Sequence, residues 1–353
     1  MLKAAVIGCG RMGAEPSARL EAKVPAGWSP ISHIESFIQA QNVQLVALAE
    51  TNKNRLKWAG EYYHINDLYE NYRDLFKGFS PDIIGIATRT PEKLSILKEA
   101  CNCGVQGAYV EKPLANCLQS AKLILDEAGK ASMIVSYGVN RRYHAIYRQA
   151  RALIQAGEIG EILEVVTEFG ESQLLWTHPH SVDLMIFFSG QRPVEAQAEL
   201  VPDSVLKRSA LSVDSDPLVS YAQFWFDGGV RGLIMRGGGC NVRVNGTRGS
   251  VEILSDGALL RLRKPSSSQD SYYLLHQTFI PVDNRSATVV AIEELVGNVN
   301  GRSIASISHD EIYMGMQMLW ACVFSHLQNG SKCRLADVPQ DLMISGRFRN
   351  LYA

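Results

Sequence analysis

The chain has 353 residues, of which 46% are hydrophobic and 20% charged, and its formal net charge is −1. That length is more than one compact core usually covers, so two domains are expected. The near-neutral charge gives no electrostatic ground for nucleic acid or an anionic membrane surface as partner, and no run of 18 apolar residues predicts a membrane-spanning helix. The start, MLKAAVIGCG, lacks the basic region, apolar stretch and cleavage site of a secretory signal. Seven cysteines at irregular spacings, with no CxxC pair, fit free thiols in a reducing cytoplasm and no metal site.

In chain order, LKAAVI at 2–7 is a short apolar strand, followed directly by GCGRMG at 8–13. VQLVALAE at 43–50 is a second strand, 53–63 a helix, DLYENYRDLFK at 67–77 a short helix, and DIIGIAT at 82–88 a third strand. A helix over 91–104, a strand over 109–114, a helix over 116–129 and a strand over 133–139 complete the first half. Alternating strand and helix with short connections predicts a doubly wound parallel sheet, a Rossmann domain over residues 1–138.

In that setting the three glycines have separate tasks: Gly8 for the tight turn, Gly10 for close approach of the backbone to a pyrophosphate, Gly13 for helix–strand packing. Glu50, at the end of the second strand, suits the ribose hydroxyls and repels a 2′-phosphate, which favours NAD over NADP. It lies about twice as far from the first glycine as the usual ~20 residues. The excess is AEPSARLEAKVPAGWSPIS at 14–32, whose prolines and Gly27 interrupt a helix. A short helix, a loop at 24–30 and a second helix from about Ser32 are expected. The loop either reaches over the cofactor or substrate, or is a surface insertion without a role.

From 161 the pattern changes to serial strands: 161–170, 194–200, 221–237 with a turn at DGG, 241–264 with turns at NG and SDG, and 271–279. Helices at about 287–299 and 309–329 close the chain, and KPSSSQDS at 264–271 reads as a polar loop. Residues 139–353 are therefore expected to be an α/β domain with a large open, mostly antiparallel sheet.

Five features together resemble the Gfo/Idh/MocA family of oxidoreductases, the glucose–fructose oxidoreductase and inositol dehydrogenase type. They are GCGRMG, IAT at 86–88, Glu111-Lys112-Pro113, ALIQAGEIGEILEV at 152–165 and HSVDLMIFFSG at 180–190. The resemblance implies a bound NAD, a sugar, sugar derivative or cyclitol as substrate, and a homodimer or homotetramer built on the open sheet. It implies that Gly8, Gly10, Arg11, Met12, Gly13, Glu50, Thr51, Thr88, Glu111 and Lys112 line the cofactor. Lys112 matches the family lysine that contacts the reacting oxygen, and Pro113 is a candidate for a cis bond. His180 matches the proton-transfer histidine. Arg89, Arg141, Tyr143, Trp176 and His178 are further candidates for the substrate pocket, alongside Lys112 and His180.

Within WTHPHSVDL, Pro179 suits the first helical position and Asp183 shares a face with His180. Asp183 either influences that histidine or packs structurally. The family's aspartate four residues before the histidine is here Trp176, and its usual histidine after the third strand is replaced near Lys93. Either His178 or Glu171 substitutes for the aspartate, or the chemistry differs, or catalysis is lost. Trp176 is either a sugar-stacking face or core filling. Arg141 and Arg142 either bind a substrate anion or are solvated charges at the domain junction. Besides a dehydrogenase, the readings left open are an enzyme that uses transient oxidation for elimination or epimerisation, and a nucleotide-binding regulator.

Overall fold

The computed structural model describes every residue except 20–23, 26, 202–211, 266–273, 280–284 and 346–353. Its first sheet holds β1 (Leu2–Ile7), β2 (Val43–Ala49), β3 (Asp67–Tyr69), β4 (Ile83–Ile86), β5 (Gly107–Val110) and β6 (Ile134–Tyr137). All pairs are parallel, in the order β3-β2-β1-β4-β5-β6. Ala4 to Ile7 are buried on both faces, as the unbroken apolar run requires. Ile7 pairs with Ala49 on one side and with Ile86 on the other, so the strand order reverses at the end of β1, where doubly wound sheets bind ligands.

The helices of this half are α1 (Arg11–Ala14), α2 (His33–Gln39), α3 (Lys53–Tyr63), α4 (Tyr72–Gly78), α5 (Thr90–Asn102) and α6 (Leu118–Lys130). One expectation fails. Residues 67–77 are not one helix: Asp67–Tyr69 pair with Ala47–Ala49 as an edge strand. The helix starts only at Tyr72, where the Asn71 side chain accepts the Arg73 N–H.

The second half contains α7 (Ala145–Gln155), β7 (Ile162–Glu168), α8 (Pro179–Ser189), β8 (Pro193–Val201), β9 (Ser212–Val213), β10 (Leu218–Phe226), β11 (Arg231–Met235), β12 (Asn241–Gly246), β13 (Gly249–Leu254), β14 (Leu259–Pro265) and β15 (Leu274–Phe279). Then follow α9 (Ala287–Val299), α10 (His309–Leu327), β16 (Cys333–Arg334) and β17 (Met343–Ile344). Nine strands form a mixed sheet, β15-β14-β13-β12-β7-β11-β10-β8-β16, in which only β7 and β11 run parallel; β17 pairs with β9. The expected strand at 221–237 is the pair β10 and β11, turned at Asp227–Gly229. The polar loop expected at 264–271 lies, from 266 on, outside the described residues, as does the start of the strand expected over 271–279.

α7, α8 and α10 pack on one face of this sheet. Val242 and Val244 point to them and are buried, while Arg243 between them points outward. α9 does otherwise: it packs against β5, β6 and α2 of the first half. A helix from the far end of the chain thus covers the dinucleotide-type sheet and ties the two halves together.

Candidate active site

The turn after β1 is shaped by collisions. Gly8 has φ +99°, donates its N–H to the Ala49 carbonyl at 2.8 Å, and leaves no room for a side chain, since a Cβ would lie 2.8 Å from the Ala87 carbonyl. A Cβ on Gly13 would lie 2.0 Å from the Gly8 oxygen. Gly10 differs: a Cβ there meets nothing within 4 Å. The fold itself therefore needs Gly8 and Gly13, whereas the open side of Gly10 is space for a ligand. α1 is a single turn, as the proline cluster foretold, and the Tyr63 hydroxyl donates to the Ala14 carbonyl at its end.

Glu50 points into this turn. Its Oε2 accepts the Cys9 N–H at 2.8 Å and its Oε1 the Asn52 N–H at 2.8 Å, with the Thr51 hydroxyl at 3.3 Å. Burial, with Glu50 beside it, pushes the Cys9 thiol up to about 12, so it stays protonated. Thr88, at the end of β4, has an enclosed hydroxyl with no hydrogen-bond partner. Arg11 is exposed and Met12 half-buried. An open glycine, a preset carboxylate and an orphaned hydroxyl at one switch point fit a dinucleotide.

Lys112 follows β5, and its bond to Pro113 is cis. Its Nζ donates to the Trp176 carbonyl at 2.7 Å and lies 4.1 Å from the centre of the Trp176 ring. Burial is the main cause that pulls its pKa below the ordinary lysine value. Glu111 is turned inward, 2% exposed, with His33 Nε2 3.5 Å from its carboxylate. Arg11 approaches the same indole from the other side, its guanidinium 5.8 Å from the ring centre. Trp176 of the second domain is thus wedged between the phosphate turn and the lysine of the first.

The segment around Trp176 is held by Asp216, whose carboxylate accepts the N–H groups of Leu175 at 2.8 Å and Trp176 at 3.1 Å. α8 then opens at Pro179, with His180 in its first turn, and closes at Gly190. The Nδ1 of His180 is enclosed and has no partner. Burial, then Arg141, Lys112 and His178, hold the imidazole well below its usual pKa, hence neutral at pH 7. Lys112 from β5 and His180 from α8 are therefore near enough to feel each other.

Several candidates are placed elsewhere. His178 is buried, with its two ring nitrogens 3.1 Å from the Ser172 hydroxyl and 3.0 Å from the Ser181 hydroxyl, and burial pulls it down to about 4. It is a structural residue, and neither it nor Glu171, which pairs with Arg236 at 3.2 Å, replaces the family aspartate. Asp183 packs structurally: Arg142 donates to both its oxygens at 2.6–3.1 Å. Burial lifts the Asp183 carboxyl to about 6, and Arg142 keeps it ionised at neutral pH. Arg142 itself has no exposure and is lost as an anion binder. Tyr143 is also withdrawn, 1% exposed with its hydroxyl 3.2 Å from that of Ser136. Arg89 is exposed at the start of α5.

Arg141 stays beside His180 but is not free. Asp256 takes its Nε at 2.9 Å and one terminal nitrogen at 3.0 Å. Burial works against its charge, and Asp256, together with Tyr147 and Cys240, more than restores it. The inserted loop completes this wall: Trp28 lies under the guanidinium, stacks on His144 at 4.8 Å and donates its indole N–H to the Asp256 carbonyl at 2.8 Å. Gly27, φ +83°, is needed there because a Cβ would lie 2.5 Å from His144 Nε2. Gly27 and Trp28 of the 14–32 insertion therefore strap the halves together, a role the sequence left open. Trp28, Asp216 and Asp256 were missed because their partners lie 40 to 228 positions away in the chain.

Residues 2–139 match the sequence model described as "Oxidoreductase family, NAD-binding Rossmann fold", that of GFO_IDH_MocA. A D-apiose dehydrogenase of Paraburkholderia graminis is 24% identical over 139 residues, 39% of this chain and 37% of that protein. An inositol 2-dehydrogenase of Salmonella typhimurium is 26% identical over 196 residues, 52% of this chain and 53% of that one. The chain thus spans about a third to about half the length of these curated relatives. Among solved structures, a myo-inositol 2-dehydrogenase of Lactobacillus plantarum superposes with a TM-score of 0.70 at 21% identity, covering 94% of this chain and 99% of its own. An inositol dehydrogenase homolog of Azotobacter vinelandii, complexed with NADH and myo-inositol, gives 0.73 at 17%, covering 94% and 97%. These likenesses show that both halves share the fold of known oxidoreductases, and the first half, residues 2–139, matches the sequence model of the Gfo/Idh/MocA oxidoreductases.

Proposed function

We propose that the protein is an NAD-dependent oxidoreductase that transfers a hydride between a CH–OH carbon of a sugar, sugar derivative or cyclitol and the nicotinamide. The single observation that carries this reading is the meeting of Lys112, from the first domain, with the Trp176–His180 segment of the second. NAD supplies the hydride acceptor when bound. The chain supplies the rest. Glu50, preset by the Cys9 and Asn52 N–H groups, suits ribose hydroxyls and disfavours a 2′-phosphate. His180, neutral and with an unengaged Nδ1, is poised to take the proton from a substrate hydroxyl. Lys112 has three N–H donors, one on the Trp176 carbonyl, and turns another to the oxygen whose negative charge develops. The Trp176 indole offers a flat apolar face for the C–H side of a ring substrate. Arg141, held by Asp256, forms a fixed cationic wall.

A second reading has its own support. The Trp176 ring already covers the Lys112 ammonium and stands where the family has an aspartate, as in a protein that binds the nucleotide without turning it over. An oxidoreductase that keeps its NAD for elimination or epimerisation uses the same groups. Turnover of NAD+ measured against a panel of cyclitols and sugars, with Lys112→Met and His180→Gln as controls, separates these. Oxidation of a panel member supports the dehydrogenase; tight NADH binding with no turnover of any member, and no change on Lys112→Met, supports the regulator. All seven cysteines are free thiols, in keeping with a cytoplasmic protein, and the face of the nine-stranded sheet turned away from α7, α8 and α10 is our candidate for a homo-oligomer contact.

A further inference from the structure

Lys93, in the first turn of α5, has no exposure to solvent, and nothing in the proposed chemistry uses it. Lysine is almost never wholly buried unless its charge is matched. Its Nζ donates to the main-chain carbonyls of Glu111 and Pro113, the latter at 2.6 Å. These residues stand on either side of Lys112. The charged groups that act on Lys93 are the buried Glu111 carboxylate, in its favour, and Lys112, against it. Those that act on Lys112 are Glu111 and Asp216, in favour, and Arg141 and Arg11, against.

We propose that Lys93 is a positioning residue for Lys112, pinning the main chain on both sides of it and so aiming its ammonium at the Trp176–His180 segment. The chemical meaning of this rests on the oxidoreductase reading; the geometry does not. A side chain with four rotatable bonds samples many directions, and fixing the peptide planes before and after it removes the backbone's share of that freedom. Burial is the main cause that lowers Lys93 to about 7, with the neighbouring Lys112 acting the same way. A neutral amine still has two N–H donors, so the two carbonyls stay occupied through that titration.

The test reads the place of Lys112 directly. The chain has five tryptophans, and in protein labelled with 5-fluorotryptophan the Trp176 resonance is assigned by Trp176→Phe. Lys112→Met removes the ammonium 4.1 Å from that ring and marks the shift that a misplaced lysine produces. Lys93→Met is expected to move the same 19F resonance in the same direction. Lys93→Gln, which keeps an N–H donor on a shorter stem, is expected to move it less. With a turnover substrate in hand, Lys93→Met lowers kcat about tenfold or more while KM stays within about twofold. A Trp176 resonance unmoved in a folded Lys93 variant overturns the proposal, as does failure of both variants to fold, which makes the lysine purely structural. If the wild type turns over no substrate, the oxidoreductase reading falls and the fluorine signal alone decides this one.

Discussion

The Gly8–Gly13 turn and the Trp176–Asp183 segment meet at the Trp176 indole, yet they are built by different physics. The turn is made of backbone. Two of its glycines are forced by contacts with main-chain atoms of Gly8 and Ala87, and the third leaves the opening. The segment is made of side chains whose partners are remote: Asp216 holds its main chain, Arg142 holds Asp183, Lys112 caps the Trp176 carbonyl. A backbone device needs the right residue at the right local spacing. A side-chain device needs the whole fold before any of its members has a partner.

The difference can be tested from its strongest consequence downward. Lys112→Met is expected to lower kcat/KM about a thousandfold, the scale of losing a charge stabiliser in a closed site, with NADH affinity held within several-fold; a loss under tenfold in steady-state rates removes the lysine from the chemistry. Within the turn, Gly13→Ala should cost stability on the order of 2–4 kcal/mol, because the clash is with backbone. Gly10→Ala should unfold at the wild-type urea midpoint yet bind NADH about tenfold or more weakly. Equal effects of the two substitutions on folding would erase the distinction between structural and ligand-facing glycines.

The segment has a pH signature that the turn lacks. His178 stays neutral in the fold down to about 4, whereas in the unfolded chain it takes up a proton near its ordinary value of about 6.5. The unfolded state therefore binds more protons between these values, and stability falls as pH drops from about 6.5 to about 4. The slope reaches at most about 1.4 kcal/mol per pH unit for this residue. Asp183, lifted to about 6, contributes a slope of the opposite sign. The His178 share is therefore read as the difference in urea-unfolding pH slope between wild type and His178→Asn; equal slopes would mean the ring is charged in the fold. The smallest effect is at the strap. Trp28→Phe keeps the stack on His144 but loses the bond to the Asp256 carbonyl, for about 1 kcal/mol. A thermal midpoint equal to wild type would show that this bond contributes nothing.

Most of the fold could be read because its signals are local. Apolar runs buried on both faces marked the parallel strands, and alternation marked β12 to β14 with one face open. The miss at 67–77 came from an edge strand of three residues, too short for any period to show, and decided by its pairing with β2. Lys112 and His180 could be picked out as candidates because each sits in a local motif, and the short α1 could be read because prolines interrupt helices wherever they stand. Tyr143 and His178 were misplaced because a sequence does not say which way a side chain turns. Asp183 was left between two roles that Arg142, 41 positions away, decides.

By itself the sequence determined most of the elements and the glycine turn with its acid at Glu50, and it singled out Lys112 and His180 as candidates. These follow from backbone sterics and from patterns a few residues long. Only the tertiary structure decided that Trp28 straps the second domain, that α9 covers the first sheet, and that Lys93 grips the carbonyls around Lys112. Such contacts join residues far apart in the chain, and a buried polar group finds its partner only after the core has closed around both.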